Sequence, residues 1–510
     1  MKNQGGVVRP AIALTLTSAA SMALEIVAGR ALAPYVGMSL YTWTIIIAVV
    51  LAGLSLGHWI GGLWADRTNR PERAVACSLT FAALTTLGSL AALRFAASFA
   101  QGVDPIEQMT LLAVTAFFLP SAFAGLLAPL LTVIALRAAD PDRQGGVLGL
   151  MFALGAIGAI GGTVTAGLVL ISWLGTELSV LVIGCTYALL SLLFWPLWPG
   201  RAMAGLTVIG LLATWPGVFA PRSPCLTESA YFCIRVDPVP GYGGPARVLA
   251  LDHLAHGVNV RDDPKLLISP YVQGVDELVA RRFPGPALEA FFVGGGAYTL
   301  PRAWQARYPE GRFTVAEIDP AVTETASATL WYDGGDRTEI IHGDARQVLS
   351  QGPEAETFDV VFGDAFHDIS IPQHLVTDEF HAEVKARLKP GGLYVLNVVD
   401  ALRSPRFMLS LAQTLQARFD HVELWLDRES VQPLEARTTW IVLASDTPSG
   451  INDHAARSGF GRDWVQVPLD AMIRTIGAEN LVFLTDDFAP VDRLLAPVLL
   501  DASLAEAKPG

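Results

Sequence analysis

The sequence predicts a multi-span α-helical membrane domain followed by an α/β domain, with a small β-rich element between them. The first 220 of the 510 residues carry only 10 Lys and Arg and 8 Asp and Glu. The other 290 residues carry 25 basic and 40 acidic residues, so the net charge of −13 arises in the second half. From residue 288 onward, short apolar strands alternate with helical segments, which is typical of a parallel α/β sheet.

The first part contains seven apolar segments long enough to cross a bilayer, since a span needs roughly 20 apolar residues. We therefore place a transmembrane domain at 1–220, a linker with the β-rich element at 221–285, and an α/β domain at 286–500. Approximate bounds of the seven predicted spans are 10–33, 41–65, 74–99, 106–137, 145–172, 176–198 and 202–220.

Two features bear on the side of the membrane that the second half occupies. Lys and Arg lie at the N-terminus and in the loops after the second and fourth spans, which predicts a cytoplasmic N-terminus. Seven spans would then put the C-terminal domain outside the cytoplasm, whereas one span more or one fewer would put it inside, so both sides stay open. Cys225 and Cys233 flank LTESAYF and could form a disulfide if the segment turns back, which would suit an oxidising compartment.

The first span contains Glu25 and Arg30, two ionisable residues at membrane depth. Such groups are expensive in hydrocarbon and usually face the interior of a helix bundle. Two interpretations stay open for them: a structural pair that locks helices together, or a polar pathway or substrate pocket in the bundle.

The soluble half begins with two predicted strands, YFCIRV (231–236) and ARVLAL (246–251), joined by a glycine-rich turn. The α/β sheet then starts with EAFFVG (289–294), which enters three glycines and a helix beginning near Tyr298. The segment 388–399 reads as a helix end, a turn and a fifth strand. The other predicted strands are 312–319, 338–345, 358–366, 421–426 and 437–446.

The strand ends carry a pattern that suits a nucleoside ligand. Gly294, Gly295 and Gly296 follow the first strand, and glycines there let a backbone approach a ligand closely. Glu317 ends the second strand 21 residues after Gly296, the spacing at which an acid can accept from ribose hydroxyls. Asp344 ends the third strand and could accept from an adenine amino group.

Several motifs in this half resemble the spermidine synthase (aminopropyltransferase) family. They are VGGGAYTLP, VAEIDP, HGDA, FDVVFGDAF, LVTDEF and LKPGGLYVLNV, and the resemblance covers about 225–445. The fused N-terminal spans and TDDFAP (485–490) look like the membrane-fused members found in bacteria. The resemblance implies a Rossmann-like methyltransferase-type fold, a multi-pass protein of the bacterial inner membrane, and decarboxylated S-adenosylmethionine or S-adenosylmethionine as co-substrate, with no metal.

The same resemblance implies a role for each site residue. The glycine loop would hold the methionine-derived part of the co-substrate, Glu317 its ribose, and Asp344 with Ala345 its adenine. Asp364 would be the catalytic group that orients and deprotonates the attacking amine, because an ammonium is no nucleophile until it loses a proton. The predicted substrate-binding residues are Asp252, His256, Tyr271, Tyr298 and Asp368.

Three departures from the family pattern affect the amine end of the site. Ala297 stands where the family loop GGGDG has an aspartate, and His256 replaces a glutamine. Asp368 follows Asp364 one residue later than the family spacing. Fewer or displaced carboxylates weaken binding of a polyamine. Two alternatives therefore stay open: a methyltransferase-like enzyme acting on an amphiphilic or membrane substrate, and a non-catalytic sensor or accessory domain on a transporter-like bundle.

The predicted partners are a small amine such as putrescine, the lipid bilayer and a second copy of the chain in a homodimer. Nucleic acid is not expected, because the soluble half is acidic and would repel a phosphate backbone.

Overall fold

The computed structural model describes residues 4–100, 103–195, 205, 224–352, 356–367, 369–431 and 437–500. The chain divides into two compact units, residues 1–230 and 231–510. The predicted seventh span at 202–220 falls almost entirely outside the described residues, and the predicted substrate residue Asp368 is also outside them.

The first unit is built of apolar helices. Two π-helical segments, Val114–Phe118 and Ala166–Leu174, interrupt the longer ones, and a short 3-10 turn precedes α7. The helices are α1 Gln4–Val36, α2 Leu40–Arg67, α3 Pro71–Ala97, α4 Pro105–Ala113, α5 Leu119–Gly125, α6 Leu127–Ala138, α7 Gln144–Thr165 and α8 Gly175–Phe194.

Five helical segments among the described residues are long and apolar enough to cross a membrane, judged by length and composition. The fifth, 141–194, has 54 residues. At a rise of about 1.5 Å per residue it would reach roughly 80 Å, far more than the ~30 Å hydrocarbon core. Gly175, with φ +71°, interrupts it where α8 begins. This break coincides with the predicted boundary between the spans 145–172 and 176–198.

The exterior of the first unit is apolar. Large side chains such as Trp59, Phe152, Leu168 and Trp173 are exposed, Trp173 to 83%. Soluble proteins rarely expose apolar surface so widely, so these faces suit a lipid environment. Within this unit, Arg30 donates from Nη2 to the Ser229 carbonyl at 3.1 Å. Both interpretations of Glu25 and Arg30 therefore stay predictions.

The second unit opens with a small antiparallel sheet. After β1 Thr227–Glu228, which ends the first unit, come β2 Cys233–Val239, β3 Ala246–Leu251 and β4 Leu254–Val260. Strands β2 and β3 match the two predicted strands, with β2 displaced by two to three residues. Strand β4 was not predicted, because its sequence LAHGVNV mixes polar residues and glycine with the apolar ones.

A nine-stranded sheet follows, in the order β12-β13-β10-β11-β9-β8-β5-β6-β7. The strands are β5 Glu289–Val293, β6 Arg312–Glu317, β7 Thr338–His342, β8 Phe358–Gly363, β9 Leu388–Ala401, β10 His421–Asp427, β11 Arg437–Ser445, β12 Asp453–Ala455 and β13 Asp463–Val467. Strands β5 to β9 run parallel, and β11 lies antiparallel between β9 and β10. The carboxyl ends of β5, β6, β7 and β8 therefore meet at one edge of the sheet.

The helices of this unit flank the sheet. They are α9 Pro270–Arg282, α10 Thr299–Arg307, α11 Pro320–Thr329, α12 Ala345–Gln351, α13 Asp378–Arg387, α14 Arg406–Gln416, α15 Leu469–Ile476, α16 Val491–Leu494 and α17 Ala496–Leu500. The buried core packs around the aromatic rings of Phe292, Trp304 and Phe313, which contact one another between the sheet and α10.

One strand prediction was wrong in its first half. The segment LKPGG was read as a helix end and a turn, yet α13 ends at Arg387 and β9 begins at Leu388. The pairing with β8 is irregular between Phe358 and Val360. This bulge accommodates Pro390 and the glycines, which would otherwise break a regular ladder.

Candidate active site

The glycine loop after β5 has a backbone that side chains rarely adopt. Gly294 has φ +94° and Gly296 has φ +50°. A Cβ added at Gly294 would lie 2.9 Å from the carbonyl oxygen of Asp364, closer than real Cβ contacts. The first glycine is therefore required where β5 and β8 end side by side, and the loop keeps an open, partly exposed backbone at the sheet edge.

Glu317, at the end of β6, holds this loop. Its Oε2 accepts the N–H groups of Gly295 and Gly296 at 2.8 and 3.3 Å, and Oε1 accepts the N–H of Asp319 at 2.9 Å. Burial raises the pKa of Glu317, and the three backbone donors act in the opposite direction. Because each carboxylate oxygen has two lone pairs, capacity remains for ribose hydroxyls.

Asp344 and Ala345 stand at the start of α12. The Asp344 Oδ1 accepts the N–H groups of Arg346 and Gln347 at 3.1 Å each, and so caps the helix. Its Oδ2 lies 2.7 Å from Nε2 of His374. An adenine amino group at this carboxylate would have to share Oδ2 with that imidazole, so the role predicted for Asp344 stays a prediction.

Asp364, directly after β8, is clamped by two donors. The Tyr271 hydroxyl donates to Oδ2 at 3.2 Å, and Nδ2 of Asn397 donates to Oδ1 at 2.7 Å. Burial raises the pKa of Asp364 to about 6, although both donors favour its charged form. A carboxylate of this pKa can take a proton near neutral pH. The structure thus brings together Asp364, Tyr271 and the glycine loop, as the sequence predicted.

The LDHLAH segment forms the turn between β3 and β4. Asp252 is buried with φ +53°; its Oδ1 accepts the Cys233 N–H at 2.9 Å and its own N–H donates to the Cys233 carbonyl at 2.9 Å. These bonds hold the start of β2 against the turn. His256 stands beside the glycine loop, its carbonyl oxygen 3.9 Å from where a Cβ on Gly296 would lie. Burial lowers the pKa of His256 to about 4, so the imidazole is neutral.

Tyr298 does not face the cleft in which it was predicted to bind substrate. Its φ of +54° turns the ring under the loop, where it is fully buried. The ring stacks on Tyr332 with centroids 4.3 Å apart, and its hydroxyl lies 2.6 Å from Oγ1 of Thr323. Its neighbour Ala297 is also buried and packs against Gly257 of β4.

Two asparagines that the sequence interpretation missed organise the site. Asn397 is the polar residue in the apolar run YVLNVV of β9, and that isolation was the available signal. Asn259 on β4 donates to the Ala297 carbonyl at 2.8 Å and accepts from the Thr299 hydroxyl at 2.9 Å. It therefore ties the small sheet to the loop and to the start of α10.

The turn beside the loop also lies near positive charge. The pKa of His253 is lowered to about 4, first by burial and then by the nearby guanidinium of Arg437, by His256 and by Arg235. Neither guanidinium was predicted at the site.

The residues at this edge fit a nucleoside with a charged tail. The loop backbone is open, and Glu317 and Asp344 supply carboxylates. Ile318, which follows Glu317 in the chain, is 40% exposed. Its side chain offers an apolar surface that a flat ring could cover. Within the described part of the chain, no group of three or more His, Cys, Asp or Glu could hold a metal ion.

A cavity of about 750 Å³ lies at the opposite edge of the sheet. Its lining includes Glu289, Arg312, Thr338 and Phe358, the first residues of β5, β6, β7 and β8. Open α/β sheets bind ligands beyond the carboxyl ends of their strands. We therefore assign the chemistry to the edge that carries Asp364 and the glycine loop, where the titratable groups converge.

Curated relatives of the chain are polyamine aminopropyltransferases. One from Vibrio vulnificus (strain CMCP6) is 31% identical over 134 residues, which are 26% of this chain and 44% of the relative. A probable polyamine aminopropyl transferase from Bifidobacterium longum (strain NCC 2705) is 31% identical over 121 residues, which are 24% of this chain and 26% of the relative. The chain thus spans less than half the length of these relatives, and no family model matches it.

Among solved structures, similar chains include spermidine synthases. A probable spermidine synthase from Corynebacterium glutamicum ATCC 13032 is 22% identical with a TM-score of 0.43, covering 51% of this chain and 95% of that one. Spermidine synthase from Thermotoga maritima is 18% identical with a TM-score of 0.32, covering 42% and 70%. Human methyltransferase-like protein 13 is 20% identical with a TM-score of 0.30, covering 35% and 83%.

Proposed function

We propose, from the premise that this chain is spermidine synthase-like in its second unit, that it is a membrane-bound transferase. It would move an aminopropyl group from decarboxylated S-adenosylmethionine to a small amine such as putrescine. The observation that carries this proposal is the clamped carboxylate of Asp364 beside the glycine loop, with its pKa raised to about 6.

The chemistry needs a base and an orienting group at one nitrogen. A bond forms between the amine nitrogen and the aminopropyl carbon while the bond from that carbon to the sulfonium sulfur breaks. Sulfur keeps the electron pair and becomes a neutral thioether, and the nitrogen gives a proton to Asp364. Tyr271 and Asn397 keep the carboxylate in place, since each holds one of its oxygens.

The co-substrate would be held by residues already organised at the sheet edge. Gly294, Gly295 and Gly296 would face its charged tail, Glu317 its ribose, and Asp344 with Ala345 its adenine. When bound, it supplies an electrophilic carbon on a positively charged sulfur. Asp252 and His256, in the turn beside the loop, would close the acceptor end.

Turnover of the purified full-length protein tests this proposal. Decarboxylated S-adenosylmethionine and putrescine should give spermidine and 5′-methylthioadenosine, both measured by mass spectrometry, and Asp364→Asn should abolish them. Asp400→Asn is the matched control. Asp400 is also buried at the same end of the sheet with its pKa raised to about 7, but its carboxylate bonds to the backbone N–H groups of Ala401 and Met408.

Full activity of Asp364→Asn would refute the role of Asp364 as the base. Absence of both products, with no binding of either adenosyl sulfonium in calorimetry, would refute the transferase proposal and leave the sensor or accessory alternative.

A methyltransferase is the second candidate, and Ala297 favours it. The buried methyl group of Ala297 packs on Gly257. An aspartate at this position, as in the spermidine synthase family, would help to hold the amine groups of co-substrate and acceptor. In the nearby turn, Arg235 and Arg437 contribute to the lowered pKa of His253. Cations suit the carboxylate of intact S-adenosylmethionine better than a diamine. Release of S-adenosylhomocysteine from that donor in the presence of bacterial lipid extract, with no spermidine formed in the first assay, would favour this reading.

We further propose that the first unit is embedded in the bacterial inner membrane. The five apolar helical segments and the exposed Trp59, Phe152 and Trp173 support this. Extraction of the full chain by detergent but not by carbonate would agree with it. A reporter fused to the C-terminus measures the side of the second unit: a cytoplasmic signal fits access to the adenosyl donor, and an external one would oppose the polyamine role.

A further inference from the structure

A histidine that was not among the predicted site residues contacts the residue predicted to hold the adenine. His374 lies in the segment between β8 and α13, and Asp344 follows β7. Nε2 of His374 is 2.7 Å from Oδ2 of Asp344, so this contact joins two loops of the edge that carries the glycine loop. The His374 side chain is 48% exposed, so a ligand at this edge can reach the imidazole.

The direction of this hydrogen bond decides which ring nitrogen of His374 carries the hydrogen. A carboxylate only accepts, and Oδ1 of Asp344 already accepts the N–H groups of Arg346 and Gln347. Nε2 of His374 is therefore the donor to Oδ2. In a neutral imidazole one nitrogen donates and the other accepts, so Nδ1 presents a lone pair. Within the described part of the chain, Nδ1 makes no hydrogen bond, and its lone pair is available to a ligand.

The imidazole is also held through the backbone of His374. Nη1 of Arg346 donates to the His374 carbonyl oxygen at 3.3 Å, and the same guanidinium donates to both carboxylate oxygens of Asp486 at 2.7 and 2.8 Å. Its Nε donates to Glu383 at 3.1 Å. The charged groups around His374 are thus Asp344 and Arg346 at the start of α12, Glu383 of α13 and Asp486 of the C-terminal segment. A ring fixed at its backbone and at Nε2 keeps Nδ1 in one place, as specific recognition requires.

The available lone pair on Nδ1 indicates which group of a nucleobase fits beside it. The 6-amino group of adenine donates, whereas the 6-oxo group of hypoxanthine or guanine only accepts. Asp344 is less suited to this contact than His374, because Oδ1 caps α12 and Oδ2 already accepts from the imidazole. The exposed side chain of Ile318, at the same edge of the sheet, offers an apolar surface for the flat face of the base.

We propose that Nδ1 of His374 accepts the 6-amino group of the adenine, and that Asp344 is a positioning residue that fixes the imidazole tautomer. This inference rests on the proposed function and specifies how the base of its co-substrate is selected. The pair favours adenine over 6-oxopurines, because an oxygen at the same place faces the lone pair of Nδ1 and leaves it unpaired. Protonation of the imidazole reverses this selection, since Nδ1 then becomes a donor.

Two nucleosides that differ only at position 6 of the base test the inference. Calorimetry of the full-length protein measures the affinities for 5′-methylthioadenosine and 5′-methylthioinosine, with the wild type and with His374→Phe, at pH 7.5 and pH 5. We expect the wild type to prefer the adenosine about tenfold or more at pH 7.5, the usual effect of leaving one hydrogen bond unmade. This preference should be lost in His374→Phe at both pH values, and it should fall at pH 5 in the wild type.

The ratio of the two affinities separates contact with the base from a structural role of His374. A loss of folding stability, or a change at the ribose, acts on both nucleosides alike and cancels in the ratio. His421→Phe is the matched control, because His421 begins β10, which runs parallel to β9, and so lies at the opposite edge of the sheet. It should leave the preference and its pH dependence unchanged. If His374→Phe does not fold, His374→Ala enters the same comparison, because it removes the same nitrogen.

A preference that His374→Phe retains would overturn the inference and leave Asp344 as the group that meets the amino group, while the proposed function stands. A wild type that binds both nucleosides equally, or whose preference is the same at pH 7.5 and pH 5, would overturn it as well. If the preference follows the expected pattern but no spermidine forms, the inference holds and the transfer reaction is wrong. No binding of either nucleoside to the wild type would overturn both.

Discussion

The substitution Asp364→Asn should remove transfer activity and at the same time stabilise the protein at neutral pH. Burial raises the pKa of Asp364 from 3.8 to about 6. Above pH 6 the carboxyl is charged in both the folded and the unfolded state, and the folded state carries the cost of a buried charge. Below pH 4 it is neutral in both. Stability from this group therefore falls as the pH rises from 4 to 6.

The size of the effect follows from the two pKa values. A difference of about 2 between the folded and unfolded pKa of Asp364 corresponds to about 3 kcal/mol in the free energy of unfolding. An asparagine retains one of the two hydrogen bonds at this position, and the loss of the other costs about 1 kcal/mol. The net gain at pH 8 is then about 2 kcal/mol, or roughly 4–8 °C in the melting temperature of a unit of this size. At pH 4 the variant should be no more stable than the wild type.

Scanning fluorimetry of the full-length protein in detergent, from pH 4 to 8 at one heating rate, measures this difference. Asp378→Asn is a control of opposite sign, because hydrogen bonding and attraction to the Arg418 guanidinium lower the pKa of Asp378. The stability due to Asp378 is present at neutral pH and is lost as the pH falls through its lowered folded pKa. Melting curves of Asp364→Asn that run parallel to the wild type at every pH would refute the reasoning.

Three further predictions concern the loop and its surroundings. Gly294→Ala should weaken binding of 5′-methylthioadenosine in calorimetry by at least tenfold, because the φ of Gly294 is +94° and an added Cβ would meet the Asp364 carbonyl. Gly391→Ala is the control: Gly391 also has a positive φ (+78°) but lies away from the loop, so this variant should lower the melting temperature without changing the affinity. Glu317→Gln should weaken the same binding roughly tenfold or more, since a neutral amide has one oxygen for the loop N–H groups and the ribose, and unchanged affinity would contradict its assigned role. Ala297→Asp should lower the melting temperature without raising kcat/KM, because the charge would be buried beside β4; a rise in kcat/KM for putrescine would show instead that the missing carboxylate limits the reaction.

The sequence determined the order of elements in the second unit with good precision. Strands β5, β6, β7, β8, β10 and β11 begin at the predicted residues, because each is a short segment with apolar or β-branched residues at its centre. The glycine loop, Glu317 and Asp364 were also predicted, since the carboxyl ends of parallel strands must converge. The error at LKPGG arose because proline and glycine usually end strands, and only the pairing with β8 reveals the bulge.

Other parts of the site depended on contacts between residues far apart in the chain. Tyr298 was expected in the substrate cleft, but its left-handed backbone turns the ring into the core against Tyr332. Asp252 accepts a hydrogen bond from the backbone of Cys233. Asn397 donates a hydrogen bond to Asp364, which is 33 residues earlier in the chain. No local pattern encodes such pairings, because they depend on which strands are neighbours.

The amino-acid pattern was sufficient to predict an apolar helical part joined to an α/β sheet, with Gly294, Glu317 and Asp364 at the ends of neighbouring strands. Periodicity, apolar length and strand–turn–helix order suffice for that, because they are local properties of the chain. The three-dimensional contacts were needed to show which groups are buried and which donors face Asp364. Those properties arise from desolvation and from hydrogen bonds between distant segments, and they determine the pKa and the hydrogen-bonding capacity of the site.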